Sequence, residues 1–317
     1  MNSARRLKPL DPSASPRFGD VATLLRAARV PLESGIDIAL IGVPFDLGVN
    51  YRTGTRHGPA AVREASRIIR LVHPTSRTAP FDLCEVADIG DVPINALDLA
   101  ASIATIEAFF RRVHEMGTTP LSVGGDHTIP LPIMRAIAKN RPVGLVQFDA
   151  HPDTLDTLMG TRINHATTFR RAVEEELIDA RRAVQVGLRG SQFSADDASW
   201  SREIGMRVIT MDEFEAIGRA RVIEEIGRVI GDGPTYVSFD IDGLDAAYAM
   251  GTGVPEVGGY SVRDAQVMIQ SLRGRHLVGA DLCEVAPMYD PTGQTALNAA
   301  NLLFELLCVL VDSRGAR

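Results

Sequence analysis

Apolar, β-rich runs recur along the chain at Ile36–Val43, Thr119–Val123, Val143–Phe148, Ala183–Leu188, Arg207–Thr210, Thr235–Ile241 and Leu277–Val285. Amphipathic stretches separate them: Ala60–Arg70, Leu97–Met116, Pro130–Ala138, Thr167–Leu177, Arg219–Ile230, Val262–Leu272 and Thr295–Val311. Strands alternating with helices predict βαβ units and a parallel sheet. The runs are near-continuously apolar, as expected when both sheet faces are covered. No linker-like segment or internal repeat interrupts the rhythm. The pattern predicts one α/β domain over residues 31–317, behind a basic, Pro-spaced arm over residues 1–30.

Ligands of open parallel sheets bind at the carboxyl ends of the strands. Here Val123 leads into Gly124-Gly125-Asp126-His127, and Phe148 into Asp149-Ala150-His151-Pro152-Asp153. Phe239 leads into Asp240-Ile241-Asp242, and Val278 into Asp281 and Glu284. In an extended chain Asp149, His151 and Asp153 would share one side. Asp240 and Asp242 repeat the spacing, and His127 adds an imidazole. Four carboxylates and two imidazoles suit borderline-hard divalent ions such as Mn²⁺, and their number suits two ions. No thiolate is among them, which speaks against structural zinc. A lone D-x-D is commonly a turn or a helix cap. Four carboxylates gathered at strand ends would repel strongly without cations, so their joint occurrence favours metal. Two divalent ions about 3.5–4 Å apart activate water at neutral pH, which predicts metal-assisted hydrolysis.

Composition narrows the setting. The chain has 317 residues, a formal charge of −7 and 45% hydrophobic residues. The core can be sizeable, and the acidic balance argues against nucleic acid or an anionic membrane as partner. Cys84, Cys283 and Cys308 are scattered without ligand spacing, so neither disulfides nor a cysteine metal site is expected, and a cytoplasmic location fits best. No stretch approaches the ~18 apolar residues of a membrane span. The polar start of the chain does not resemble a signal peptide.

The chain resembles the ureohydrolase family of arginases, agmatinases and guanidinobutyrases. The motifs that carry the resemblance run from Gly42-Val43-Pro44-Phe45-Asp46 and Arg52-Thr53-Gly54-Thr55-Arg56-His57-Gly58-Pro59 through Gly124–Thr128 and Asp149–Asp153. They continue with Ser238–Asp242, Gly251-Thr252-Gly253 and Glu284-Val285-Ala286-Pro287. The resemblance implies a three-layer arginase/deacetylase-like α/β fold with a central parallel sheet of about eight strands, assembled as homotrimers or homohexamers. It implies two divalent ions, Mn²⁺ first, with Ni²⁺ compatible with the same ligands. It also implies that His127, Asp149, Asp153 and Asp240 hold one ion or bridge, and that His151 and Asp242 complete the pair. His165 falls where the family keeps a mobile proton-handling histidine, and Asp153 would relay protons with it. Glu284 falls where the family keeps a carboxylate facing the substrate guanidinium, as a planar cation requires.

The segment Thr154–Leu177 reads most like guanidinobutyrase, which puts 4-guanidinobutyrate first as substrate. The departures are Ala166 after His165, and Asp245-Ala246-Ala247-Tyr248-Ala249-Met250-Gly251 where the family usually has a Pro-rich segment. Leu155 and Met159 are expected over the substrate tail, and their apolar character keeps agmatine and short N-alkylated guanidines or biguanides in view. Arg162, Arg170 and Arg189 are candidate partners for a substrate carboxylate. A rival reading is a low-activity or structural subunit in a mixed oligomer with a related chain. The intact ligand set argues against it, and against a single-metal deacetylase. The Gly-rich stretch over residues 251–259 lacks the G-x-G-x-x-G spacing of a dinucleotide site.

Overall fold

A computed structural model describes residues 7–9, 16–194 and 197–315. Among these, the strands are β1 (Ala28–Arg29), β2 (Ile38–Val43), β3 (Val86–Asp91), β4 (Thr119–Gly124), β5 (Val143–Phe148), β6 (Ile178–Leu188), β7 (Arg207–Thr210), β8 (Thr235–Asp240) and β9 (Leu277–Cys283). The α-helices are α1 (Gly58–Ala65), α2 (Pro80–Leu83), α3 (Leu99–Glu115), α4 (Pro130–Ile137), α5 (Thr168–Glu174), α6 (Ser199–Glu203), α7 (Met211–Ile230), α8 (Val262–Gln270) and α9 (Gln294–Gly315). All nine strands join one sheet in the order β1-β3-β2-β4-β9-β8-β5-β6-β7. Every pairing is parallel.

The sequence predicts most of these elements because the strands are buried on both faces, as β2, β5 and β8 are at every residue. The helices cover those faces with amphipathic stripes. In α3 the stripe is Ser102, Ile103, Ile106, Phe110 and Val113, and Asp98 caps the start by accepting from the Ala101 N–H. Residues of α3, α4 and α5 join one apolar core and those of α7, α8 and α9 the other, so the sheet lies between two helical layers. The helix α9 meets the length and hydropathy of a membrane span, contrary to the sequence reading, and 78% of that window is buried in the fold. Its apolar length is therefore core: Leu302, Leu303, Leu306, Leu307 and Leu310 are all fully buried.

Two strands escape the sequence reading. Asp88, Gly90 and Asp91 interrupt the apolar run of β3. Asp88 is nonetheless fully buried, because Arg63 reaches it from α1 with Nε 2.9 Å from Oδ2 and Nη2 3.1 Å from Oδ1. The two-residue β1 lies inside the stretch read as an arm. Leu24 and Leu25 are also buried there, so residues 24–29 pack into the domain. Residues 1–6 and 10–15 of that arm lie outside the described residues.

Candidate metal centre and catalytic pocket

The ends of β4, β9, β8 and β5 are neighbours at the middle of the sheet. β4 and β5 are consecutive in sequence but separated in space by β9 and β8, which makes this the crevice where a parallel sheet receives a ligand. Gly125 is required just after β4. A Cβ there would come within 2.2 Å of the Phe45 carbonyl oxygen. That close approach lets Asp126 and His127 enter the crevice, where both are fully buried.

His127, Asp149, Asp153 and Asp240 converge. His127 Nδ1 lies 3.0 Å from Asp149 Oδ2, 2.8 Å from Asp153 Oδ2 and 3.3 Å from Asp240 Oδ2. His151 Nδ1 lies 3.1 Å from Asp242 Oδ2 and 3.6 Å from Asp149 Oδ1. Asp149 thus faces both imidazoles, one through each oxygen. Ligand atoms of His127, Asp149 and Asp240 lie within 4.8 Å of one another, as do those of Asp149, His151 and Asp242. The route to this convergence differs from the sequence reading. β5 ends at Phe148, and the residues beyond it turn instead of extending. Asp149 Oδ1 accepts from the His151 N–H at 2.7 Å, and Asp153 holds left-handed backbone at φ 51°. The turn, not strand alternation, gathers these side chains.

The electrostatics follow from crowding. Burial pushes the Asp153 carboxyl up, the neighbouring Asp149 charge adds to this, and it reaches about 6. Burial and the charges of Asp242 and Asp149 likewise drive Asp240 well up. Burial opposes ionisation of Asp149 too, but hydrogen bonds and charge from His127 and His151 outweigh it and hold Asp149 below the usual carboxylate range. Burial alone would lower both imidazoles, yet the surrounding carboxylates raise them well above the ordinary value. The cluster draws in positive charge wherever it can. Its four carboxylates match the charge of two divalent cations, and its all-oxygen-and-imidazole donor set fits them.

His165 and Glu284 meet on the same crevice. His165 opens a short 3-10 turn (His165–Thr167) that Asn164 caps by accepting from the Ala166 N–H. Its Nδ1 lies 3.2 Å from Glu284 Oε1, and its Nε2 lies 2.8 Å from Asn50 Oδ1. Burial lowers the imidazole pKa, but the Glu284 hydrogen bond and charge, with Asp153 and Asp126, raise it to about 9. Glu284 follows β9 in left-handed backbone at φ 66°. Such a conformation costs about 1–3 kcal/mol and persists where the surroundings enforce it. Here the Glu284 N–H donates to the Gly125 carbonyl, and Oε1 accepts from the His127 N–H at 2.9 Å. Glu284 Oε2 is buried without a hydrogen-bond partner.

These groups open on a cavity of about 280 Å³. Leu155, Leu158, Leu188, Val254 and Phe193 give it apolar wall, and Glu256 adds a carboxylate. Met159 is a correction to the sequence reading. It does not line the cavity and is 81% exposed. Leu158 and Thr161 pair back to back through two 3.0 Å backbone hydrogen bonds, which leaves Met159 at the turn with φ 50°. Leu158 takes the place over the cavity instead. The arginines are committed elsewhere. Arg189 lines the cavity, but its guanidinium donates to the carbonyls of Gly187, Asp242, Gly243, Leu244, Glu256 and Val257. Arg162 pairs with Glu174, and Arg170 pairs with Glu174 and lies over the Trp200 ring.

Sequence reasoning missed Asn50, Gln147, Gln185 and Asp126. Gln185 donates to Gln147 at 2.6 Å, and Gln147 to Asp149 Oδ2 at 2.7 Å, which steadies the shared carboxylate. Asp126 accepts from Gly48 N and Thr128 N and so ties the loop carrying Asn50 to the end of β4. Its adjacency to His127 was the one available signal.

The chain is similar to known proteins in sequence and fold. The Arginase family model matches residues 36–308. Guanidinopropionase of Pseudomonas aeruginosa is 50% identical over 96% of each chain, and guanidinobutyrase of the same organism is 48% identical over 96% of each. The structure of proclavaminate amidino hydrolase from Streptomyces clavuligerus superposes with a TM-score of 0.91 at 35% identity, over 94% of this chain and all of that one. With its nine-stranded parallel sheet and its acidic cluster at the central strand ends, the chain belongs to the arginase family.

Proposed function

We propose that this site hydrolyses a linear guanidino compound to urea and an amine, with 4-guanidinobutyrate first among substrates. As an arginase-family guanidino hydrolase the chain acts on a C–N bond. The observation that carries the assignment is Glu284. Its buried Oε2 has no partner within the protein and lies on the cavity beside the acidic cluster. A guanidinium N–H supplies the missing donor, and a charge-assisted pair with a planar cation fixes its orientation.

His127, Asp149, Asp153 and Asp240 would hold one divalent ion, and Asp149, His151 and Asp242 the second. Mn²⁺ is the proposed metal and Ni²⁺ the alternative. Bound there, the ions would supply an activated water and stabilise developing negative charge. The protein's own groups do the rest. Glu284 holds the guanidinium, and its tether to the His127 N–H fixes the distance to the cluster. His165, kept protonated by Glu284 and turned by Asn50, delivers a proton to the departing amine, a poor leaving group until protonated. Asp153 beside it re-supplies that proton.

The tail lies along Leu155, Leu158, Leu188 and Val254. With Arg189 saturated, Ser191 and Gln192 are the neutral lining residues left for a carboxylate end. Relatives named for guanidinopropionate and guanidinobutyrate hydrolysis support this class. A second reading, agmatine or a short N-alkylated guanidine, is favoured by Glu256 and by the absence of an uncommitted cation among the described lining residues. A homotrimer or homohexamer in a reducing, cytoplasmic setting is part of the proposal. The test is a urea-release screen over guanidinobutyrate, guanidinopropionate, agmatine, arginine, guanidine and dimethylated guanidines, with Mn²⁺ and Ni²⁺ supplied separately. Highest kcat/KM on a guanidino acid supports the first reading. Highest kcat/KM on agmatine or an alkylguanidine replaces it with the second, and no urea from a chain shown to hold two ions overturns both.

A further inference from the structure

Beneath the acidic cluster lies a set of buried polar residues that the hydrolysis above does not use. Ser238 of β8 is paired in register with Asp281 of β9, and Tyr236 precedes Ser238 by two residues on the same face. All three are fully buried. Asp281 Oδ2 accepts the Tyr236 hydroxyl at 2.6 Å. Asp281 Oδ1 accepts the Ser238 hydroxyl at 2.8 Å and the Cys283 thiol at 3.4 Å. Ser238 Oγ in turn lies 2.8 Å from His127 Nε2.

Counting protons along this chain fixes a tautomer. An ionised carboxylate only accepts, and a hydroxyl has one proton to give. Ser238 gives that proton to Asp281, so its oxygen must accept from His127. The imidazole therefore carries a hydrogen on Nε2 and, once an ion takes Nδ1, on that nitrogen alone. Its other nitrogen, Nδ1, is the one within 3.3 Å of Asp149, Asp153 and Asp240. We propose that Asp281, acting through Ser238, is a positioning residue that fixes His127 as an Nδ1 metal donor. The inference rests on the two-metal reading of the cluster. It adds the origin of the orientation of one ligand, since outer hydrogen bonds decide which ring nitrogen faces a metal.

A competing use of the same residues is a further cation held by His127, Asp281 and Cys283, whose ligand atoms lie within 4.8 Å of one another. The donors disfavour it. Three of the roughly four acceptor sites of Asp281 already receive protons, from Tyr236 on one oxygen and from Ser238 and Cys283 on the other, and the Cys283 thiol keeps its own proton in that contact. The Phe169 ring also stands edge-on to His127, with centroids 5.2 Å apart, and limits ring rotation.

Replacing Asp281 by Asn reverses the logic. The new amide donates from one side, so Ser238 can become its acceptor and turn its own proton toward His127 Nε2. That nitrogen must then accept, and the hydrogen moves to Nδ1, where it blocks the ion. Ser238→Ala removes the link without adding a donor. The experiment compares parent, D281N and S238A chains after thermal melts have shown each to be folded. Divalent-ion affinity is measured by chelator competition, and the His127 tautomer by nitrogen-15 NMR of Zn²⁺-loaded protein. The expected result is an Nε2–H tautomer in the parent, and a roughly 10–100-fold weaker affinity for one of two ions in both variants, the other ion being retained. Two ions bound by both folded variants within twofold of the parent overturn the inference alone, as does an Nδ1–H tautomer in the parent. Should D281N not fold, S238A decides by the same criteria. A parent that binds no divalent ion overturns the two-metal reading and this inference together.

Discussion

Glu284 Oε1 and His165 Nδ1 lie 3.2 Å apart, both groups are buried, and the second oxygen of Glu284 has no partner. One carboxylate thus accepts from a histidine, which it keeps protonated, on one side and presents an unmet acceptor on the other. Replacing Glu284 by Gln removes the charge from both functions. A hydrogen bond to a charged group is worth about 1.5–3 kcal/mol, so kcat/KM should fall roughly 10- to 150-fold. Metal content by elemental analysis should stay that of the parent, because Glu284 is not among the proposed ligands. A parallel loss of metal would contradict this division of labour.

The histidine itself gives a pH signature. Its folded pKa of about 9 exceeds the unfolded value near 6.5, so its ion pair contributes stability that is full below about pH 6.5. That contribution disappears as pH rises through about 9. Metal-free protein should lose melting temperature across this window, and E284Q should flatten the loss. An NMR titration of His165 showing an ordinary midpoint in the parent would rule this out.

Asp240 contributes to the cluster from the end of β8 and is proposed as a ligand only. Its replacement by Asn should abolish urea release and lower metal content together. Stripping the ions from the parent should lower Tm by roughly 4 °C per ion when the ion had been present at about 100 times its Kd. Retained activity in D240N, or an unchanged Tm after confirmed metal loss, contradicts the assignment.

Leu158 lines the cavity, whereas Met159 points to solvent at the next position. Truncating Leu158 to Ala should raise KM for a substrate with an alkyl tail roughly 5- to 30-fold, for about 1–2 kcal/mol of lost apolar burial. Met159→Ala should change it by less than about twofold, because exposed positions away from such features move stability and binding little. Steady-state kinetics on the two variants side by side measures the difference.

Arg63 tests the fold apart from the site. It neutralises Asp88 in the interior of β3 and also reaches Asp91 at 2.6 Å. Arg63→Ala leaves the buried Asp88 with only the half-exposed Arg29, whose Nη1 lies 3.3 Å from Oδ1, so the cost should fall below the about 3–5 kcal/mol of a fully unpaired buried charge. Denaturant unfolding should show that loss, and a double replacement of Arg63 and Asp88 by apolar residues should recover much of it.

The residues of the acidic cluster were legible in sequence because each follows an apolar run, so the polar residues could be assigned to strand ends before any contact was known. The reason they converge was not legible. A turn at Asp149–Asp153 does the gathering, and its left-handed residue is an Asp, which carries no Gly-like signal. Ser238 and Asp281 could be seen as strand residues, but their link to His127 depends on β8–β9 register, which no local pattern encodes. Likewise β3 was hidden by Asp88, whose burial makes sense only once Arg63 is known to reach it. Periodicity read only Arg219–Ile230 of α7, because Gly218, at φ 77°, interrupts the helix. The side of the loop that Leu158 and Met159 each face was set by a backbone turn between them and Thr161, not by their shared apolar character.

The strand order has an implication for how the chain comes together. Strands β1 to β4, made from residues 28–124, form one half of the sheet, and β5 to β8, from residues 143–240, form the other. Neither half touches the other edge to edge, and β9 alone bridges them, pairing with β4 on one side and β8 on the other. Of the proposed ligands, His127 belongs to the first half and the aspartates and His151 to the second. In the finished sheet residues 277–283 lie between an edge of each half, so the crevice has both its walls only with β9 in place. The keystone strand carries Asp281 and leads into Glu284, so the element that joins the halves would also be the one that orients His127 and seats the proposed guanidinium.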